Sequence, residues 1–211
     1  MAQYAFYPGC TLHSTGVEFG ASTDAVCDTL GIELLEIPDW NCCGASSAHS
    51  MDQNLFLALP ARNLAQAQLV SVDDPQANLD LAIPCAACFS RTAAADLALR
   101  DDPDFCAQME SVLNFQFSGR VRPRNLLDIL ANDFSRAQLT AHLSQPLQDL
   151  KVVSYYGCLL VRPPEYTARW DDPEHPQSMD YILQLMGAQP MQWSYGVDCC
   201  GGSLTLNRAD V

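Results

Sequence analysis

The chain has 211 residues, 48% of them hydrophobic, and a formal net charge of −14. That length holds one large domain or two small ones, and the hydrophobic share excludes a disordered tail. A chain with one lysine, Lys151, and ten arginines among its eleven cations is a poor match for nucleic acid, whose phosphates need clustered positive charge. No run approaches the roughly 18 apolar residues of a membrane span, and "MAQYAFYPGC" lacks the basic start of a secretory signal. The expected setting is the cytosol, with acidic clusters such as "VDDP", "RDDPD" and "WDDPEHP" on solvated loops.

In chain order, "QYAFYPGC" predicts a short buried strand ending in a Pro-Gly turn. "VEFGASTDAVCDTLG" carries apolar residues at helical spacing and ends at Gly31, a residue suited to a left-handed helix terminus. "IELLEI" predicts a second strand, followed by a loop holding Cys42, Cys43 and Gly44. "MDQNLFLALPARNLAQAQLV" is helical in pattern, with a kink or break expected at Pro60. "LDLAIPC" predicts a third strand, and "AACFSRTAAADLALR" a helix opening at its end. Strands alternating with helices predict an α/β layer with a small, mainly parallel sheet. Residues 102–149 predict short helices around the polar turn "QFSGRVRP", a helical connection.

The chain also repeats itself. "AFYPGC" ending at Cys10 matches "SYYGC" ending at Cys158, and "DWNCCGAS" around Cys42-Cys43 matches "DCCGGS" around Cys199-Cys200. The expected organisation is therefore a first unit over 1–100, a connection over 101–149 and a second unit over 150–211. The two Cys-Cys pairs lie 157 positions apart, which would carry Cys85 and Cys88 to 242 and 245, beyond Val211. The second unit is expected to be truncated before its Cys-x-x-Cys.

Ten cysteines in a chain able to build a core without staples point to metal or redox work more than to a disulfide scaffold. Cys27 and Cys106 fall on apolar helix faces and predict core positions. Cys10, Cys42, Cys43, Cys85 and Cys88 lie at or after the C-terminal ends of predicted strands. In a parallel sheet those ends share one edge, where ligand sites form. Five thiols exceed the four ligands of a structural zinc site or an ordinary cubane cluster. Neighbouring side chains diverge, so adjacent cysteines suit a larger body whose metal atoms lie apart. An iron–sulfur cluster ranks first, with zinc and a redox dithiol as alternatives.

With "YPGC", "DWNCCGA", "ARNLAQAQ", "IPCAACF", "YYGCLLVRPPE" and "DCCGGSLTLNRADV" in place, the chain resembles the CCG-domain family typified by the B subunit of heterodisulfide reductase, in its bacterial form, from Tyr4 to Val211. The resemblance implies two CCG units, each holding a noncubane [4Fe-4S] cluster through five cysteines. Cys10, Cys42, Cys43, Cys85 and Cys88 would hold the first cluster, and Cys158, Cys199 and Cys200 match three ligands of the second. It implies an oxidoreductase that reduces a small-molecule disulfide, or oxidises thiols, in a complex with two partners. One is flavin-bearing and the other is a ferredoxin-like iron–sulfur protein. His13 and Arg162 follow the first cysteine of each unit and are candidates for a substrate pocket. The alternatives are an electron-relay component of a lactate-, glycolate- or succinate-oxidising complex and a zinc-stabilised scaffold.

Overall fold

The structure, a computed structural model, describes residues 1–45, 48–72, 78–167 and 169–202, with backbone alone at 49 and 50. The tail of the "DCCGGSLTLNRADV" motif and most of the "VDDP" cluster lie outside the described residues. The chain divides into two units, Met1–Ile129 and Leu130–Val211.

The first unit is a layered α/β structure. Strands β1 (Ala2–Phe6), β2 (Ile32–Glu36), β3 (Leu79–Ile83) and β4 (Val121–Asn125) form one sheet in the order β2-β1-β3-β4. Every pairing is parallel. The two inner strands are the apolar ones: Tyr4, Ala5 and Phe6 of β1 and Leu79, Leu81, Ala82 and Ile83 of β3 are buried, as strands covered on both faces must be.

The helices are α1 (Gly9–Leu12), α2 (Val17–Leu30), α3 (Ala48–Met51), α4 (Gln53–Ala67), α5 (Ala86–Asp101), α6 (Pro103–Leu113) and α7 (Leu126–Asn132), the last crossing into the second unit. Gly31 ends α2 at φ +68°, with its N–H on the carbonyls of Asp28 and Cys27. Asp52 caps α4 by accepting from the N–H groups of Asn54 and Leu55. That helix runs unbroken through Pro60, which is buried, so the break expected there does not occur. Buried Ala93, Ala94 and Ala95 let α5 approach its neighbours, and α4 and α5 pack together.

The expected helical connection over 101–149 is corrected by β4. Its sequence, VRPRN, is charged and contains Pro123, which hides a strand; an edge position tolerates both. The compensation lies across the ladder, where Asp80 of β3 stands opposite Arg122. Its carboxylate accepts from Arg122 Nε at 2.9 Å and Arg124 Nη1 at 3.0 Å, and Arg124 also donates to Asp128 at 2.7 Å. Cys27 is 2% exposed, a core residue, whereas Cys106 is only half-buried beside a cavity of about 210 Å³.

In the second unit, helices α8 (Arg136–Thr140), α9 (Cys158–Val161), α10 (Pro164–Thr167) and α11 (Ser178–Leu185) accompany strands β5 (Lys151–Val152) and β6 (Gln189–Pro190). The two strands pair in parallel, Lys151 opposite Gln189. Tyr156, Leu160, Val161, Thr167 and Ala188 are buried. The "WDDPEHP" acids do local structural work. Asp171 accepts from the N–H groups of Gln177 and Ser178, and Asp172 from those of Glu174 and His175. These N–H groups, His175 first, hold the Asp172 carboxyl below its usual range.

Asp80→Asn removes the charge that ties two arginines to the sheet. Charge-assisted hydrogen bonds of this kind are each worth about 1.5–3 kcal/mol, so a loss of about 2 kcal/mol is expected in urea unfolding. Lys151→Gln, on an exposed side chain, is expected to change little in the same measurement.

Candidate functional site: converging cysteines at the sheet edge

The parallel register carries three loops to one edge of the first sheet. Beyond the strands, Ile37 N donates to Phe6 O at 2.9 Å and Tyr7 N to Ala82 O at 3.0 Å, so β1, β2 and β3 end level with one another. Cys10 follows β1 in α1, Cys42 and Cys43 follow β2, and Cys85 and Cys88 follow β3 at the start of α5.

The five sulfurs interact. Cys88 Sγ donates to Cys43 Sγ at 3.3 Å. Cys88 also bears on Cys85, and Cys10 on Cys42. Cys43 and Cys88 are buried, Cys85 is half-buried, and Cys10 and Cys42 are exposed. The set therefore runs from core to surface. Among the described residues, no group of three or more His, Cys, Asp or Glu side chains is placed to hold a metal ion.

Two glycines keep the space tight. Both Gly9 and Gly44 have φ +72°, where L side chains are strained. A Cβ on Gly9 would lie 2.9 Å from Cys88 Sγ, and one on Gly44 would lie 2.6 Å from Ala48 Cβ.

The peptide ahead of the Cys-Cys pair is fixed by polar side chains. Asn63 on α4 is fully buried. Its Oδ1 accepts from Asn41 N at 2.9 Å and its Nδ2 donates to Asn41 O at 2.8 Å. The same carbonyl accepts from the Tyr7 hydroxyl at 2.8 Å. The Asn41 side chain donates to Leu59 O at 3.1 Å and accepts from Arg62 at 3.0 Å. Past the pair, Gly44 N donates to Cys42 Sγ at 3.5 Å.

Charge is distributed unevenly over the thiols. Hydrogen bonding from Cys88 draws Cys85 down to about 6 against the cost of burial, helped by the N–H groups of Cys88 and Ala87 in the first turn of α5. Cys43 is lowered first by Cys88 and also by Arg91, whose guanidinium lies 4.5 Å from the Phe56 ring centre. Cys88, donating to Cys43 and next to Cys85, is pushed far up, and burial raises Cys42. Burial pushes Cys27 up to about 11.

The second unit shows a smaller version. Cys158 opens α9, and hydrogen bonding and charge link it to Cys199 and Cys200. Gly201 N donates to Cys199 Sγ at 3.4 Å, and Tyr155 donates to Asp198 O at 2.7 Å.

His13 ends α1, stacks on Trp40 at 5.7 Å and lies 3.7 Å from the Glu36 carboxylate. The Arg162 guanidinium is engaged with Pro173 O at 3.1 Å and Glu174 at 2.9 Å. Sequence reasoning missed Tyr7, Asn41, Asn63 and Arg91 as parts of the site. Asn63 left a signal, a polar side chain among the apolar positions of α4.

The cysteine-rich domain family, CCG, matches residues 4–91. The membrane anchor component of the 8-methylmenaquinol:fumarate reductase of Wolinella succinogenes is 34% identical over 94% of this chain and 67% of its own length. The B subunit of the ferredoxin:CoB-CoM heterodisulfide reductase of Methanosarcina mazei is 26% identical over 100% of this chain and 69% of its own. The probable glycolate oxidase iron-sulfur subunit of Bacillus subtilis is 21% identical, covering 98% of this chain and 41% of its own. A crystal structure of a hypothetical protein from Helicobacter pylori matches with TM-score 0.69 over 98% of this chain and 36% of that one, at 14% identity, a likeness of fold. Among the described residues no helix is long and apolar enough to cross a membrane.

Asn63→Leu takes two hydrogen bonds from the half-buried Asn41 backbone and leaves its carbonyl with Tyr7. A loss of about 2–3 kcal/mol is expected in urea unfolding, together with faster alkylation of Cys43. In metal-free protein the thiolate is the reactive form. Cys85 should therefore react with iodoacetamide above about pH 6 and fall silent below it, while Cys27, raised to about 11, stays unreacted at neutral pH. Mass spectrometry of the labelled peptides across pH 5–9 reads both.

Proposed function

This chain belongs to the cysteine-rich CCG domain family, and from that premise we propose that it is the iron–sulfur component of a heterodisulfide reductase-type oxidoreductase complex. The observation that carries the reading is that three loops deliver five cysteines to one sheet edge, with Cys88 and Cys43 in contact at 3.3 Å. Five sulfurs exceed a tetrahedral zinc site. Their chemistry, soft thiolate donors with one member drawn down to about 6, fits a [4Fe-4S] cluster of noncubane type.

In that role Cys10, Cys42, Cys43, Cys85 and Cys88 hold the cluster. Bound there, it supplies one-electron transfer and an iron able to take a thiolate sulfur. Gly9 leaves Cys88 its room, and Asn63 fixes the peptide that aims Cys42 and Cys43. Arg91 offsets part of the negative charge that thiolates gather in a chain of net charge −14. The reaction breaks one S–S bond, takes two electrons and two protons, and releases two thiols. The electrons come from partner proteins, for which a flavin-bearing one and a ferredoxin-like one are proposed. Cys158, Cys199 and Cys200 are three ligands of a second site. His13, exposed beyond Cys10, belongs to the approach to the first; Arg162 is held by its own loop.

A second reading is favoured by the higher identity to a fumarate reductase component, 34% against 26% for the heterodisulfide reductase one. Here the site relays electrons and no disulfide is cleaved.

Anaerobically purified protein is expected to hold about four irons and four acid-labile sulfides per chain in the first site. Cys85→Ser and Cys88→Ser should lose them, and Cys27→Ala and Cys106→Ala should keep them. Zinc without sulfide would overturn the cluster reading in favour of a zinc-stabilised scaffold. If reduced protein is reoxidised by low-molecular-weight disulfides with release of two thiols each, the reductase reading holds. Inertness to every disulfide, with reoxidation by quinone analogues, would establish the relay.

A further inference from the structure

The two units share one side-chain contact that the cysteine ligands do not explain. A tyrosine stands three residues before the first cysteine of each unit, Tyr7 before Cys10 and Tyr155 before Cys158. In each unit its hydroxyl crosses to the carbonyl of the residue just ahead of the Cys-Cys pair. Tyr7 donates to Asn41 O at 2.8 Å, and Tyr155 to Asp198 O at 2.7 Å. Each ring meets a tryptophan edge to face, Tyr7 with Trp40 at 5.8 Å and Tyr155 with Trp193 at 6.1 Å. The surroundings differ widely: Tyr7 is fully buried, while Tyr155 is 41% exposed. A contact kept in a core and again at a surface is not a by-product of packing.

We propose that Tyr7 and Tyr155 are positioning residues that clamp each Cys-Cys loop to the loop carrying the first cysteine of its unit. The clamp has a geometric purpose. Adjacent side chains on an extended segment point apart, so the directions of two neighbouring sulfurs are set by the peptide planes around them. Fixing the carbonyl ahead of the pair fixes the first of those planes. On the far side, Gly44 and Gly201 turn back at φ +72° and +73° and donate their N–H groups to Cys42 Sγ and Cys199 Sγ. The pair is thus held from both ends. The tyrosine ties it to the loop that delivers Cys10 or Cys158, so three sulfurs from two loops move as one body. The inference extends the reading of the cysteines as one site, yet it concerns the loops alone and is testable without metal.

The test uses the full chain in its metal-free, reduced form. Tyr7→Phe and Tyr155→Phe keep the rings and lose the donors; at half-exposed position 155 the change does not endanger folding. Peptide-level hydrogen exchange is followed over residues 40–45 and 196–202, with residues 89–101 of α5 as the internal reference. Each Phe variant is expected to speed exchange about fivefold in its own loop, the factor that one net hydrogen bond carries, and to leave α5 and the other loop unchanged. In Tyr7→Phe, alkylation of buried Cys43 should rise by a similar factor. Placing 4-aminophenylalanine at either position restores a para donor and should restore slow exchange. Unchanged exchange in both Phe variants would overturn the proposal. So would fast exchange that 4-aminophenylalanine fails to correct, since the ring and not the donor would then matter. Neither result depends on iron, so failure of the clamp and failure of the cluster reading are told apart.

Discussion

The first site depends on the fixation of a single peptide, the one joining Asn41 to the Cys-Cys pair. Its carbonyl takes two hydrogen bonds, from Asn63 and Tyr7, and Asn41 N donates a third to Asn63. Asn63 is fully buried on α4, where an unpartnered amide would be costly. The amide and the loop therefore stabilise each other, and neither is satisfied alone. That pairing needs α4 at a set height above the sheet, which in turn needs α4 packed on α5. The same α5 begins at Cys85 and carries Cys88. One packing arrangement therefore delivers two thiols directly and fixes the peptide ahead of two more through Asn63.

Electrostatics pull against this arrangement and are met locally. Gathering thiols in a chain of net charge −14 raises the cost of ionising any of them. The chain answers with the first turn of the sixteen-residue helix α5 and with Arg91 beside Cys43. Many other arginines are committed to holding elements together: Arg62 to Asp39, Arg100 to Asp96, Arg122 and Arg124 to Asp80, Arg162 to Glu174. The proton on Cys88 serves two neighbours, lowering Cys43 and Cys85 while its own thiol rises. The site is thus prepared to give up protons from some cysteines before others.

The strands of the central sheet were legible because β1 and β3 are short apolar runs between turn signals. Gly31 was legible as a helix terminus because a left-handed residue after an apolar period is usually glycine. The placement of Cys10, Cys42, Cys43, Cys85 and Cys88 beyond strand ends was legible because strand ends in a parallel sheet share an edge. β4 was not, since its stability lies in a cross-strand ion pair to Asp80, and such a pair cannot be seen before the register is known. This moved residues 101–129 into the first unit. Cys106 looked apolar on its helix but borders a cavity. Tyr7 and Asn63 were hidden for a related reason, because each works through a backbone atom of a residue far along the chain, and backbone partners leave no pattern in side-chain chemistry.

Comparing the units separates what a Cys-Cys loop needs from what supports it. The second unit repeats the parallel strand pair, the positive-φ glycine before its first cysteine, the tyrosine bond to the carbonyl ahead of the pair, and the glycine N–H to the first sulfur of the pair. It repeats these with two-residue strands and an exposed loop, where the first unit uses five-residue strands and a buried amide. Features that survive so large a change in burial are the ones the loop itself requires. Asn63, Arg62 and α4 belong to the other class: they are the first unit's own means of fixing the Asn41 peptide. The bracing of a Cys-Cys loop is therefore a local property of one strand–helix–strand passage and its tyrosine. Cys85 and Cys88, arriving from β3 and α5, add to that arrangement in the first unit without having to create it.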